Sequence, residues 1–155
     1  MKPQTNHSGE MRPLTRLQSL LFLVGGILMV LGATAFVLMW HREVACWVFL
    51  VGAVLFAVIQ SMQMYEGSNT TIRRLKKILN VADLFFILAA ILMVDTCHHF
   101  LLPIFRSGGS DGYYTYIEYV YNKWVVLLLA AAILEVYATF RISSEFERED
   151  GGKRR

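Results

Sequence analysis

Two long runs without a charged residue set the main constraint on this fold. Leu20–Trp40 and Val44–Met64 are each 21 residues long. A helix needs about 20 mostly apolar residues to cross a bilayer. Lipid offers no partner for backbone N–H and C=O groups, so a spanning segment must satisfy them internally, as a helix does. Only residues 41–43 separate the two runs, so they predict an antiparallel pair of transmembrane helices.

Two further apolar runs are shorter, and each is bounded by an acid. Leu84–Val94 and Trp124–Leu134 reach spanning length only when Asp83 and Glu135 are included. Two buried helices of a peripheral domain are the competing interpretation. However, 55% of the 155 residues are hydrophobic and only 17% are charged, which is more apolar surface than a soluble domain of this size can bury. The sequence therefore predicts an all-α integral membrane bundle of four antiparallel transmembrane helices, with spans of about 20–40, 44–64, 78–97 and 124–140.

The positive charges predict the orientation. Of the 15 Lys and Arg residues, 12 lie in segments 1–16, 65–77 and 141–155. The positive-inside rule places those segments in the cytoplasm. We expect a polar cytoplasmic N-terminal segment at 1–16, a transmembrane domain at 17–140 and a charged cytoplasmic tail at 141–155, in which Gly151 and Gly152 break any helix. A cleaved signal peptide is the alternative for the first span, but the apolar run continues past Ala33–Ala35 to Trp40, which favours an uncleaved helix.

Polar residues inside the predicted spans fall at one depth. Asp83 and Glu135 each lie five residues from the cytoplasmic end of a span, and Gln60 and Gln63 lie at a comparable depth. Ionisable residues in spans are functional candidates by default. One hypothesis is a proton or cation site in which the two carboxylates share a proton, because both cannot readily ionise in a low dielectric. The other is an interhelical hydrogen-bond layer that fixes packing.

The two cysteines lie near the outer ends of the second and third spans. Cys46 precedes Gln60 by 14 residues and Cys97 follows Asp83 by 14, which is close to four helical turns. Antiparallel packing of these faces would bring Cys46 near Cys97 and Gln60 near Asp83. We expect either a disulfide, in an oxidising compartment, or two inert buried thiols.

Two other clusters suggest weaker site hypotheses. Zinc or copper could be held by four side chains near the two outer connections: Asp95, His98, His99 and His41. No paired His or Cys spacing typical of a metal site is present among them. Anionic lipid headgroups could bind the basic residues before the third span: Arg73, Arg74, Lys76 and Lys77.

The segments 65–75 and 134–141 resemble small bacterial inner-membrane proteins with four spans and no assigned activity. The resemblance implies a multi-pass protein of a bacterial inner membrane, and the positive-inside rule places both termini in the cytoplasm. Our first hypothesis for function is a non-enzymatic protein that acts through helix–helix or lipid contacts, as an accessory or structural subunit. The alternative is a small proton- or ion-coupled transporter or channel that uses Asp83 and Glu135. We expect no cofactor and no nucleic-acid partner. The expected partners are the lipid bilayer and other membrane proteins, including further copies of the chain.

Overall fold

The computed structural model of the chain describes residues 15–63, 70–107 and 111–153. Within these ranges the chain is helical, without a strand, and its helices are α1 (Arg16–Val37), α2 (Arg42–Met62), α3 (Thr70–His98), α4 (Leu102–Arg106), α5 (Gly112–Tyr119) and α6 (Trp124–Lys153). Four segments are long and apolar enough to span a membrane: α1, α2, α3 and the segment Gly112–Arg148 that contains α6. The prediction of an all-helical chain with four candidate spans is therefore confirmed. Most of the predicted segment 1–16 lies outside the described residues.

The first two helices begin and end earlier than the apolar runs. At the start of α1, the Gln18 backbone N–H donates to the Thr15 side chain and the Thr15 backbone N–H donates to the Gln18 side chain. This reciprocal capping box starts the helix at Arg16. The chain then needs residues 38–41 to turn, with Met39 and His41 at positive φ. The helices therefore begin two to four residues before positions 20 and 44 and end two to three residues before positions 40 and 64, because a turn can be built from uncharged side chains. The spans themselves stay a prediction.

Helices α1 and α2 approach closely where glycines remove the side chain. A Cβ atom on Gly32 would lie 2.7 Å from the Phe49 backbone nitrogen, and one on Gly52 would lie 2.8 Å from the Met29 nitrogen. Small residues at such crossings let helix backbones meet. Later residues of α1 meet earlier residues of α2 along this contact. Gly32 therefore faces the neighbouring helix of the same chain, whereas a Cβ on Gly26 would meet only the Phe56 ring, 3.9 Å away.

Helix α6 continues well beyond the predicted fourth span. It runs to Lys153, so the prediction that Gly151 and Gly152 break the helix was wrong. Before those glycines, Ala138 and Ile142 pack with Leu75 and Leu79 of α3, and Phe146 packs against the same cluster. The stripe has the i, i+4 spacing of one helix face. Its burial stabilises α6 up to the glycines, each of which costs only about 1 kcal/mol in a helix interior.

The long helices make close backbone contacts in the order α1–α2–α3–α6, and α4 contacts α5. The interior is mainly apolar, with Phe49, Ala53, Phe86, Ala90 and Met93 at its centre. Buried polar side chains are concentrated on either side of this core. We call the end that holds Gln60, Asp83 and Glu135 the Asp83 end. We call the end that holds Asp95 and Tyr116 the Asp95 end.

Candidate functional site

At the Asp83 end, a glutamine of α2 binds a glutamate of α6. The Gln60 side-chain nitrogen donates to both carboxylate oxygens of Glu135, each 3.1 Å away. Gln60 is buried and Glu135 is half-buried. Helices α2 and α6 have no close backbone contact of their own, so this side-chain bridge joins them across the bundle. Two of the four residues predicted to form a polar layer are therefore directly bonded.

Asp83 lies beside this bridge but does not join it. Its side chain is only 5% exposed, and neither of its carboxylate oxygens has a hydrogen-bond partner among the described residues. Glu135 is the neighbouring charged group that acts on it. Gln60 therefore donates its hydrogen bond to Glu135 rather than to Asp83.

The arrangement at the Asp83 end limits which charges these two acids can carry. An isolated ionised carboxylate is costly to bury, and a second negative charge nearby raises that cost. Asp83 has neither a donor nor a cation among the described residues to offset it. The two acids can therefore hold one proton between them, or a small cation, more easily than two negative charges.

A cavity of about 200 Å³ opens next to Glu135. Its wall combines polar and apolar side chains: Gln60, Gln63, Lys76, Asn80, Glu135 and Thr139, with Phe22, Leu79 and Ile142. A basic and an acidic side chain therefore line the same space. A cavity that holds ionisable side chains inside a bundle of apolar helices is a candidate ligand site.

The four basic residues predicted to bind anionic lipid do not form one surface. Arg73, Arg74 and Lys77 are exposed on the first turns of α3. Lys76 is half-buried, lines the cavity, and donates through Nζ to the backbone carbonyl of Gln63. The helical repeat explains the separation, since consecutive positions point about 100° apart. Lys76 thus belongs to the Asp83 end, and the lipid role remains a prediction for the other three.

At the Asp95 end, both oxygens of the Asp95 carboxylate accept a hydrogen bond. The Leu101 backbone N–H donates to Oδ1 of Asp95 at 2.8 Å, and the Tyr116 hydroxyl donates to Oδ2 at 2.6 Å. Nδ1 of His99 lies 3.2 Å from the same hydroxyl. Asp95 is 1% exposed and Tyr116 is 2% exposed. This network ties the end of α3 to the connection that carries α4 and α5.

The environment of Tyr116 strengthens this network. Burial raises the pKa of the Tyr116 hydroxyl above its ordinary value near 10, and the hydrogen bond to the negative Asp95 raises it further. A hydroxyl that keeps its proton remains a donor to the carboxylate. The bond is also short, as expected for a hydrogen bond to a charged acceptor. The pair therefore acts as a fixed structural joint.

The four residues suggested as metal ligands have other neighbours. Asp95 binds Tyr116 and Leu101, His98 lies near the Val94 carbonyl and the Trp47 ring, and His41 packs against Trp40. In the part of the chain that the structure describes, no group of three or more His, Cys, Asp or Glu residues is placed to hold a metal ion. Asp95 and His99 are linked through Tyr116, whose hydroxyl group contacts both.

Cys97 of α3 packs against the buried cluster that contains Cys46 of α2, so both cysteines belong to the same part of the core. Both are free thiols in the structure, and Cys46 donates to the Glu43 carbonyl at 3.1 Å. The disulfide stays a prediction for oxidising conditions.

Sequence reasoning missed two contributions to these sites. Tyr116 belongs to a run of tyrosines at 113–121, and nothing in the run distinguishes the buried Tyr116 from Tyr119, which is 70% exposed. Asn80 and Thr139 line the cavity but were not predicted. Their spacing was a usable signal, since Asn80 lies three residues before Asp83 and Thr139 lies four after Glu135 on their helices.

No protein-family model, curated protein or solved structure matches this chain.

Proposed function

We propose that the chain is a multi-pass protein of a bacterial inner membrane, with four antiparallel spans and both termini in the cytoplasm. Helices α1 and α2 support this proposal, since Gly32 approaches Phe49 while Gly25 approaches Phe56. The charge distribution supports the orientation, because Leu75 in the basic first turns of α3 packs with Ile142, which follows Arg141 on α6. In this orientation the Asp83 end faces the cytoplasm.

Within that frame, the geometry favours a small proton- or cation-coupled transporter over a purely structural protein. The observation that carries this proposal is Asp83, a buried carboxylate near Glu135 whose two oxygens have no hydrogen-bond partner among the described residues. A polar layer that serves only packing would have its acceptors satisfied. An open acceptor beside a second acid is suited to taking up a proton or a cation and releasing it again.

The cavity supplies access to Glu135, one member of this pair. It reaches Glu135, which Gln60 holds in place, and it is lined by one further charged group, Lys76. Beyond Asp83 the interior is closed by apolar side chains that include Phe86, Ala90 and Met93. This arrangement fits a transporter that exposes its site to one side at a time better than an open channel.

Reconstitution into vesicles tests the proposal. The parent protein, incorporated with a pH-sensitive dye inside the vesicles, should release an imposed proton gradient faster than empty vesicles do. Asp83→Asn and Glu135→Gln should each remove most of that flux and its dependence on pH, because an amide cannot take up the proton. Glu118→Gln is the matched control, since Glu118 is an exposed acid of α5 far from the pair in sequence. A parent protein without flux, or flux that survives Asp83→Asn, contradicts this function.

A second candidate is the accessory role, and a groove beside α1 favours it. The groove is about 450 Å³ in volume and is lined only by apolar residues and glycine: Phe22, Leu23, Gly26, Ile27, Val30, Leu31 and Phe56. Inside a bilayer it would be filled by a lipid chain or by a helix of another membrane protein, including a second copy. A photo-crosslinking side chain placed at Ile27 would capture protein in the accessory case and only lipid otherwise, with exposed Tyr137 of α6 as the control position.

A further inference from the structure

The cavity at the Asp83 end is lined by more kinds of polar group than a proton-binding site requires. A site for a proton or a bare cation requires acidic or carbonyl oxygens. This cavity also presents the ammonium group of Lys76, the amides of Gln63 and Asn80, and the hydroxyl of Thr139. These groups both donate and accept hydrogen bonds, so they suit a larger polar molecule.

Glu135 keeps the capacity to bind a cationic group. Its two oxygens share a single donor, the side-chain nitrogen of Gln60. An ionised carboxylate offers about four lone-pair positions, so acceptor sites remain on the side that faces the cavity. A primary ammonium, with three N–H donors, matches such a site.

Lys76 offers the opposite charge on the same wall. Its Nζ atom donates to the backbone carbonyl of Gln63, and an ammonium group has three donors. Among the described residues Lys76 has no other hydrogen-bond partner, so its remaining donors can bind an anionic group at the cavity. A wall that carries both Lys76 and Glu135 therefore suits a molecule with a positive and a negative group.

The size and the apolar part of the cavity limit the ligand further. A volume of about 200 Å³ holds several water molecules, and hence a small solute or a headgroup rather than a peptide. Phe22, Leu79 and Ile142 line one part of the wall, where the carbon chain between two charged groups would lie.

We infer that this cavity binds a small zwitterion with a primary ammonium at Glu135 and a carboxylate or phosphate at Lys76. The inference rests on the proposed function, because it names the substrate class that would move with the proton held by Asp83 and Glu135. Two sources carry this chemistry: a free solute of the amino-acid or phosphoethanolamine type, and the headgroup of phosphatidylethanolamine.

Calorimetric titration of the full-length protein in phosphatidylcholine nanodiscs tests the inference. Three soluble probes are compared: phosphoethanolamine, ethanolamine as the amine alone, and methyl phosphate as the anion alone. Phosphoethanolamine should bind at least tenfold more tightly than either single-charge probe. Equal affinity for the three probes, or no binding of phosphoethanolamine, overturns the inference without the need for any variant.

Paired variants locate the binding. Lys76→Met and Glu135→Gln should each weaken phosphoethanolamine binding at least tenfold, and Lys76→Arg should restore most of the loss at position 76. Lys77→Met and Glu147→Gln are the matched controls, since both residues are exposed on the same helices. If Lys77→Met weakens binding as much as Lys76→Met, the cavity is not the site.

A change of lipid distinguishes the two sources. If the lipid headgroup is the ligand, nanodiscs that contain phosphatidylethanolamine should weaken the apparent affinity for soluble phosphoethanolamine, and Lys76→Met should abolish that competition. If the ligand is a free solute, the lipid should not compete. Both results support the inferred chemistry.

The outcome also separates this inference from the proposed function, because proton flux is measured without the zwitterion. If proton flux depends on Asp83 but no zwitterion binds, only the inferred ligand is contradicted. If the zwitterion binds but no such flux is seen, only the proposed transport function is contradicted.

Discussion

Asp83 and Asp95 lie on the same helix, α3, and both are buried, yet their carboxylates have opposite surroundings. Both oxygens of Asp95 accept a hydrogen bond, one from Tyr116 and one from the backbone of Leu101. Neither oxygen of Asp83 has a partner among the described residues. Twelve residues, or about 18 Å of helix, separate the two. The same residue type is therefore hydrogen-bonded through both oxygens at one end of α3 and has no hydrogen-bond partner among the described residues at the other.

This difference shows how a structural acid can be told from a functional one in a bundle of this kind. A buried carboxylate that is fully hydrogen-bonded stabilises the elements that supply its donors. A buried carboxylate without partners lowers stability, so its presence calls for a compensating role such as proton or ligand binding. On this basis we assign Asp95 to the stability of the fold and propose Asp83 as the functional acid.

The largest predicted effect comes from making the same substitution at both positions. Asp95→Asn turns one acceptor into a donor opposite Tyr116 or Leu101 and should lower the free energy of unfolding by about 2–3 kcal/mol. Asp83→Asn buries a neutral amide in place of an unpartnered acid, so stability should change by less than about 1 kcal/mol in either direction. Denaturant titration in detergent micelles, followed by circular dichroism, measures both. Equal losses of stability at the two positions would remove the distinction between them.

A second, smaller effect is expected at the donor of the Asp95 joint. Tyr116→Phe removes one hydrogen bond to a charged acceptor and should lower the free energy of unfolding by about 1.5–2 kcal/mol. Tyr119→Phe is the control, since Tyr119 is exposed and lies on the same short helix. The same unfolding titration measures both variants. A Tyr116→Phe protein as stable as the control would mean that the joint does not hold the connection in place.

The Tyr116 joint also predicts a dependence on alkaline pH. The pKa of Tyr116 is raised in the folded protein, so the protonated hydroxyl contributes stability that is fully present below the ordinary tyrosine pKa near 10. Above pH 10 the unfolded chain loses this proton first, and the contribution falls as the pH rises further. Stability measured at pH 8 and pH 10.5 should therefore decrease more for the parent than for Tyr116→Phe. A parallel decrease in both proteins would contradict the assigned bond.

The smallest predicted effect concerns the bridge at the Asp83 end. Gln60→Leu leaves Glu135 without its donor and should lower stability by about 1 kcal/mol, because hydrogen bonds between spans contribute modestly. Ser61→Ala is a control, since Ser61 is exposed and bonds only within its own helix turn. If the bridge positions Glu135 for transport, Gln60→Leu should reduce proton flux by a larger factor than it changes stability. Loss of stability with unchanged flux would make the bridge structural, like the Asp95 joint.

The helices could largely be predicted from the sequence, and their ends could not. An uncharged run predicts that a segment can cross a membrane, but it does not distinguish the helical residues from Leu38–His41, which form a turn. The extension of α6 to Lys153 depends on Ile142 and Phe146 packing on α3, a contact between distant parts of the chain. Such contacts follow from how the helices associate, which no local pattern specifies.

The same limit applies to the candidate sites. Asp83, Glu135 and Gln60 could be placed at one depth by counting residues along each helix, because the rise per residue is fixed. That Gln60 binds Glu135 and leaves Asp83 unpartnered depends on how the helices are rotated. For Asp95, the nearby histidines suggested a metal site, whereas the donor that binds it is Tyr116, 21 residues away in a connection without periodic pattern.

The most direct test of the central claim is reaction of the protein in bilayers with a hydrophobic carbodiimide, which modifies protonated carboxyl groups, followed by mass spectrometry of the peptides. One sample reports on every acid of the chain at once. We predict that the modification is found at Asp83 or Glu135, decreases as the pH rises, and spares Asp95, whose two oxygens bind two separate donors, Leu101 and Tyr116. Modification of Asp95 with Asp83 and Glu135 unmodified would contradict the account.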